Sequence, residues 1–150
     1  MTKLIVDSNI IFSAILNINS RIGQILLTGE DFYQFYAPKY VRSEIWQHQD
    51  KIKKIGKFDN EEFLEVYELF LKNIIILNHS IVPKEDYRKA YDLCKDIDPA
   101  DTTFVAFSLF LKSKIWTGDK KLVNGLTKKG FKKIITTDDL FNDFLKKLNK

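Results

Sequence analysis

Three aspartates stand at positions where a parallel α/β sheet gathers its ligands. Asp7 and Asp119 each follow a short apolar run typical of a buried strand, and Asp101 begins the apolar helical segment that precedes the second of these runs. Ligands of such sheets bind beyond the carboxyl ends of the strands, so we expect the three carboxylates to lie together. Glu44, in the helix predicted after the second strand, is a fourth candidate on a looser positional argument.

Grouped carboxylates require a compensating positive charge. Two like charges about 4 Å apart repel by roughly 1 kcal/mol at the dielectric of water, and by several at an effective value near 20. Oxygen ligands without histidine or cysteine favour Mg²⁺ or Mn²⁺ over zinc. Such ions activate water and stabilise charge on a phosphodiester. The acids therefore predict metal-dependent phosphodiester chemistry, with Asp7, Asp101 and Asp119 as metal ligands.

Other aspartates near predicted helix starts have a simpler explanation. Asp98 lies three residues before Asp101 and directly before Pro99, so we expect it to cap a helix, with participation in the acidic site as the alternative. Asp138 and Asp139 follow the last strand-like run, and we expect helix capping there as well.

The elements that must position the acids alternate along the chain. Apolar runs predict five strands, and the β-branched run at residues 74–77 predicts a strand that is buried on both faces. About seven segments between and after them have helical character. This order predicts an α/β fold with three α/β/α layers around a mainly parallel sheet, as one domain over residues 1–150. The predicted strands cover residues 3–6, 33–37, 74–77, 114–117 and 133–136.

Composition excludes several other classes of protein. No apolar run approaches the roughly 18–20 residues that span a bilayer, and the start of the chain lacks secretory-signal features, so we expect a cytoplasmic protein without membrane association. Cys94, the single cysteine, cannot form an internal disulfide and is expected to be a buried thiol. The two histidines are not placed for a zinc site or a Ser-His-Asp triad.

The combined acidic pattern resembles the PIN-domain family, which includes VapC-like toxins and PilT N-terminal-like proteins. The resemblance covers essentially the whole chain. It is carried by Asp7–Ser8–Asn9, by Glu44, by the helix start at residues 101–106 and by the Thr-Gly-Asp at residues 117–119.

This resemblance implies a Mg²⁺- or Mn²⁺-dependent endoribonuclease. Its acidic cluster would be Asp7, Glu44, Asp101 and Asp119. Supporting polar groups would be Ser8, Asn9 and Thr117. The implied partners are RNA, most simply single-stranded, an antitoxin protein and a second copy of the chain.

An RNA substrate would explain why the last quarter of the chain is rich in lysine. Residues 112–150 contain eleven lysines against four aspartates, although by itself such a bias is more simply explained by solvated helix faces. Lys120 and Lys121 directly follow Asp119, and we expect them to bind phosphates. The aromatic residues near Glu44 could stack on bases but are expected mainly in the core; these are Tyr36, Tyr40 and Trp46.

Two other functions fit parts of the pattern. A phosphatase of the haloacid-dehalogenase type also has an aspartate after strand one, but it needs a second one two residues later, where this chain has Asn9. A PIN-like module that binds RNA or protein without catalysis would normally lack one of the acids, and all four are present. The amphipathic segments at residues 21–27 and 61–72 fit either a dimer or antitoxin interface or simple packing on the core.

Overall fold

A five-stranded parallel sheet forms the centre of the computed structural model, which describes residues 1–150. The strand order is β3-β2-β1-β4-β5, so β1 is central and pairs with both β2 and β4. Chain connections run outward in opposite directions from β1, and the point of reversal lies between β1 and β4. The strands are β1 (Thr2–Val6), β2 (Tyr33–Pro38), β3 (Ile74–Leu77), β4 (Lys114–Trp116) and β5 (Ile134–Ile135).

Nine α-helices flank the sheet, which confirms the predicted α/β class. Three short 3₁₀ turns, at residues 29–31, 79–81 and 99–101, join some of the elements. The helices are α1 (Ser8–Leu16), α2 (Arg21–Thr28), α3 (Tyr40–Gln47), α4 (Gln49–Gly56), α5 (Asn60–Leu71), α6 (Lys84–Cys94), α7 (Thr102–Leu111), α8 (Lys120–Lys128) and α9 (Thr137–Leu148).

The core is one cluster of 33 buried residues on both sides of the sheet's central strands. All three apolar residues at the end of β1, from Leu4 to Val6, are fully buried. Helix α7 is buried from Phe104 to Ser108, as its uniformly apolar sequence predicts. Cys94 is also buried, as predicted, and burial raises the pKa of its thiol to about 11.

Two predictions about the elements are wrong. The run at residues 74–77 forms an edge strand that pairs only with β2, so Ile75 keeps 42% of its surface exposed instead of being covered on both faces. The chain also has nine helices instead of about seven, and one that was not expected is α4, which the lysine-rich segment before residue 57 forms. That helix buries Ile52 and ends at Lys57, which has a left-handed backbone conformation.

The cap of α9 is a further correction. The side chain of Thr136 accepts a hydrogen bond from the backbone N–H of Asp139 (3.2 Å), so neither Asp138 nor Asp139 is the capping residue. Both aspartates lie in the first turn, where negative charge favours the helix dipole. Asp138 also pairs with Arg21 of α2 at 2.7 Å.

No single helix is long and apolar enough to cross a membrane. One pair of helical segments, Ser8–Leu16 and Arg21–Asp31, passes the same length and composition test together, with a bend of 103° between them.

Candidate active site

Asp7 and Asp119 lie side by side at the carboxyl ends of the paired strands β1 and β4. Each is also the N-cap of the helix that follows. A carboxylate oxygen of Asp7 accepts from the backbone N–H of Asn9 (3.3 Å), and one of Asp119 accepts from that of Leu122 (3.2 Å). Capping uses one oxygen of each carboxylate, so the local strand-to-helix turns fix both side chains in orientation.

Asp101 has an unusual environment at the start of α7. It occupies the N-cap position but makes no side-chain cap, and its Oδ2 is buried without a hydrogen-bond partner. The neighbouring 3₁₀ turn is capped by Asp98, which accepts from the N–H of Ala100 (3.0 Å), as predicted. A buried carboxylate oxygen without a partner costs about 1–3 kcal/mol or more, so this position favours a ligand that supplies positive charge.

All four predicted acids line a single cavity of about 390 Å³. Glu44 reaches it from the second turn of α3, and the other three reach it from β1, α7 and the end of β4. No lysine or arginine lines this cavity. The remaining lining residues are Ser8, Asn9, Tyr40, Ser43, Gln47, Asp98, Ala100 and Phe104.

Sequence reasoning missed part of this lining. Tyr40 was expected in the core but is 38% exposed and lines the acidic cavity, together with Ser43 and Gln47. The signal was present in the spacing, because Tyr40, Glu44 and Gln47 are four and three residues apart and therefore share one face of α3.

Burial and mutual repulsion dominate the electrostatics of the cavity. The pKa of Asp101 is raised to about 7, mainly by burial and then by the charges of Asp7, Asp98, Asp119 and Glu44. Burial also raises the pKa of Asp7, although hydrogen bonds from its neighbours oppose the effect. Burial is thus the main cause of both raised pKa values, and repulsion from the neighbouring carboxylates adds to it.

Thr117 connects two of the acids from beneath the cavity. Its fully buried hydroxyl donates a hydrogen bond to Asp7 Oδ2 (2.7 Å) and accepts one from the backbone N–H of Asp119 (3.1 Å). Ser8 makes a longer contact to the other carboxylate oxygen of Asp7 (3.5 Å). Thr117 therefore fixes the orientation of Asp7 relative to the turn that carries Asp119.

The donor set fits a hard divalent cation. The cavity offers carboxylate, hydroxyl and amide oxygens, contains no histidine or cysteine, and includes the unpartnered oxygen of Asp101. No group of three or more His, Cys, Asp or Glu side chains forms a ready-made metal cluster. The four carboxylates line one cavity but are not grouped tightly enough to form such a cluster.

Comparison with protein-family models decides the family. A model described as a PIN domain matches residues 5–139, which is most of the chain. The chain belongs to the PIN-domain family. Among solved structures, it is similar to the crystal structure of VapBC2 from Rickettsia felis bound to a DNA fragment from their promoter. The TM-score is 0.66 at 15% sequence identity, over 90% of this chain and 97% of the other. A search of curated proteins found no significant match.

The predicted phosphate-binding lysines lie outside the acidic cavity of this PIN domain. Lys120 lines an adjacent cavity of about 280 Å³, with Thr117 and Gly118 among its neighbours. Lys121 is exposed on α8 and lines neither cavity.

Trp46 was expected mainly in the core, but 48% of its surface is exposed in this PIN domain. Its ring packs edge-on against Tyr67, with 5.7 Å between the ring centroids. Tyr36 is partly buried. An exposed indole next to the residues that line the acidic cavity is available to an external ligand.

We expect the raised pKa of Asp101 to make the metal-free PIN domain less stable as pH rises. The unfolded chain releases this proton near pH 4, whereas the folded chain keeps it until about pH 7, so stability falls across that interval. The free energy of unfolding of Asp101→Asn should equal that of the wild type near pH 4. Above pH 7 it should be higher by about 1–2 kcal/mol, after allowance for solvent screening. Urea unfolding in EDTA measures the difference. Equal gains at both pH values would contradict this electrostatic origin.

Proposed function

We propose that this protein is a metal-dependent endoribonuclease. The observation that carries the proposal is the convergence of four carboxylates, from four separate elements, on one cavity where a buried Asp101 oxygen has no partner. PIN domains are generally nucleases, which agrees with this chemistry. RNA as the substrate is supported by the family resemblance and, more weakly, by the lysines of the C-terminal quarter.

Asp7, Asp101 and Asp119 would hold one or more Mg²⁺ or Mn²⁺ ions. When bound, such an ion supplies charge compensation and Lewis acidity toward a phosphodiester. The protein supplies the orientation: capping turns fix Asp7 and Asp119, and Thr117 links them. These constraints place ligand oxygens before substrate arrives, which lowers the reorganisation needed during reaction.

Glu44 would accept a proton, and Tyr40 would bind the substrate. The carboxylate of Glu44 accepts no side-chain or capping hydrogen bond within the protein, so it is free to accept a proton from attacking water. Burial and the nearby charges of Glu44, Asp101 and Asp7 raise the pKa of Tyr40, so its phenol keeps its proton. It can therefore donate a hydrogen bond to a phosphate oxygen. Ser8 and Asn9 would be supporting polar groups on the same wall.

The biological setting that we propose is a toxin–antitoxin pair acting on RNA in the cytoplasm. Its support is the fold shared with VapBC2, a complex that was crystallised on its promoter DNA. An antitoxin protein and a second copy of the chain are the proposed partners. Helices α2 and α5 also pack on the core, so their amphipathic character alone does not distinguish an interface from core packing.

The phosphatase alternative is weakened by the residue at position 9. Asn9 holds the position where a second aspartate would act as general acid, and an amide side chain cannot take that role. A binding module without catalysis is also less favoured, because none of the four acids is missing or turned away from the cavity.

Cleavage assays on short single-stranded RNAs test the proposal. Mg²⁺ or Mn²⁺ should produce internal cuts, EDTA should stop them, and Asp7→Asn should remove most of the activity. A parallel reaction with single-stranded DNA distinguishes a ribonuclease from a deoxyribonuclease. A second one with a phosphate monoester distinguishes a nuclease from a phosphatase. Cleavage that continues in EDTA, or hydrolysis of the monoester alone, would exclude the proposed mechanism.

Phosphate binding by Lys120 and Lys121 gives a separate prediction. Replacing both with glutamine should weaken RNA binding and reduce the slope of log affinity against log salt by about 1–2, since each contacted phosphate contributes roughly 0.7 for a single strand. Filter binding with the Asp101→Asn protein in EDTA measures affinity without cleavage. An unchanged slope would show that neither lysine contacts the RNA backbone.

A further inference from the structure

A second charged cavity lies at the opposite end of the sheet from the carboxylates. Its volume is about 410 Å³. It is lined by the amino ends of three adjacent parallel strands, represented by Lys3 of β1, Tyr33 of β2 and Lys114 of β4. Because the acids follow the carboxyl ends of β1 and β4, the sheet itself separates this cavity from the proposed active site.

Five lysines line this cavity and only one of them has an ionic partner. Lys147 pairs with Asp143 at 3.0 Å and lies over the Tyr33 ring at 4.5 Å. Asp143 is the only acidic residue in the lining, and it also accepts a hydrogen bond from the Tyr33 hydroxyl (2.6 Å). The four lysines without an ion pair are Lys3, Lys112, Lys114 and Lys133.

Ser113 adds an unused polar group to the same wall. It is only 7% exposed, and its buried Oγ has no hydrogen-bond partner. Its backbone is held firmly, because its N–H donates to the Ser108 carbonyl (3.1 Å) and its carbonyl accepts from the Ser108 hydroxyl. The residue before it, Lys112, has a left-handed backbone conformation with φ 52. A buried hydroxyl without a partner is costly unless a ligand satisfies it.

We propose that this lysine-lined cavity binds a compact anion carrying two or more phosphate groups, of the pyrophosphate or nucleoside diphosphate class. The four lysines without an ion pair in the lining of one cavity match the three or four negative charges of such a ligand. The Ser113 hydroxyl, which is buried in the free protein, would donate to a phosphate oxygen after its side chain rotates toward the cavity. A nucleic-acid backbone carries one charge per nucleotide and extends beyond a cavity of this size, so a small polyphosphate fits better.

The site does not depend on the proposed nuclease. Pyrophosphate also chelates Mg²⁺, and a chelate could dock on the carboxylates, so binding must be measured without divalent ions. Isothermal titration calorimetry of the full chain with inorganic pyrophosphate in EDTA should show saturable binding at one site.

Three variants locate the binding. Lys114→Gln/Lys133→Gln should weaken pyrophosphate binding by at least about ten-fold, because charge-assisted contacts are the strong ones. Ser113→Ala should weaken binding by about three-fold or more without lowering the melting temperature, since its hydroxyl makes no bond in the free protein. Lys51→Gln/Lys54→Gln removes the same charge from α4, far from this lining, and should change affinity by less than about two-fold.

Each alternative result overturns the proposal or the part of it that the variant tests. Absence of saturable binding by the wild type would exclude a polyphosphate site. Equal losses in the two double variants would show a general effect of net charge. A lower melting temperature in Ser113→Ala with unchanged affinity would assign the serine a structural role. If binding of single-stranded RNA depends on Lys114 and Lys133 while pyrophosphate does not bind, these lysines form part of a nucleic-acid site.

Discussion

Asp101→Asn is expected to lower metal-dependent RNA cleavage by about 10²–10³-fold, the usual cost of removing one group that stabilises charge in a transition state. Asparagine keeps the size of the side chain but removes a negative ligand and replaces the unpartnered Oδ2 or its neighbour with an NH₂ group. Initial rates at saturating Mn²⁺ measure the effect. The folded state should be retained, since the carboxylate makes no cap and its charge destabilises the metal-free protein.

Asp98→Asn is the matched comparison for this variant. It makes the same chemical change three residues earlier on the wall of the same cavity, but asparagine can still accept the capping hydrogen bond from Ala100. Its activity loss should stay below about ten-fold, less than the roughly 10–100-fold typical of losing a group that orients a metal ligand. Equal losses in both variants would show that activity follows the net charge of the cavity. Full activity in Asp101→Asn would remove Asp101 from the mechanism.

Thr117→Val should reduce cleavage by about 10–100-fold, the typical cost of losing a group that orients a metal ligand. Valine has the shape of threonine, so packing beneath the cavity is kept, but Asp7 Oδ2 loses its 2.7 Å hydrogen bond and Asp119 N–H loses its acceptor. The Thr117 hydroxyl lowers the pKa of Asp7, so its removal raises that pKa further. The activity that depends on ionised Asp7 should therefore shift to higher pH.

Thr117→Ser separates this effect from general damage. Serine keeps the hydroxyl and should recover most of the rate and the wild-type pH profile, although it leaves a small void. Profiles of kcat/KM against pH for the three proteins, with melting temperatures as a stability control, measure both changes. If valine and serine lower the rate equally with no shift in the profile, the threonine contributes through packing and not through Asp7.

The positions of the three aspartates could be predicted because parallel sheets bring their carboxyl ends to one edge. Asp7 and Asp119 follow adjacent strands, and Asp101 begins the buried helix that leads into the second of them. Glu44 depended more on family resemblance, since its place in the cavity requires the orientation of α3 against the sheet. That orientation is a tertiary property, and for the same reason the accompanying Tyr40 was expected in the core.

The lysines show what closeness in sequence does not establish. Lys120 and Lys121 follow Asp119 directly, but neither lines the acidic cavity, and Lys120 lines an adjacent one. Lys114 begins β4 only five residues before Asp119, yet the strand puts the two residues at opposite ends of the sheet. The excess of lysine in this part of the chain therefore predicts a positive surface charge, but it does not predict where on the surface that charge lies.

The edge position of β3 and the existence of α4 were not predictable from local patterns. A run of four β-branched or apolar residues has the same sequence signal in a central or an edge strand, and only the strand order left Ile75 exposed. Most residues of α4 are charged or polar, so its amphipathic pattern is hard to recognise in the sequence. Ile52 is the one residue that this helix buries. In both cases the decisive information is a neighbour distant in sequence.

Anomalous diffraction from a crystal soaked in Mn²⁺ tests the metal-site proposal most directly. We expect a peak in the 390 Å³ cavity, within about 2.0–2.3 Å of carboxylate oxygens of Asp7, Asp101 and Asp119, and its loss in crystals of Asp101→Asn. A manganese peak elsewhere, or an acidic cavity that stays empty at Mn²⁺ concentrations that support cleavage, would contradict a metal-dependent nuclease site at these residues.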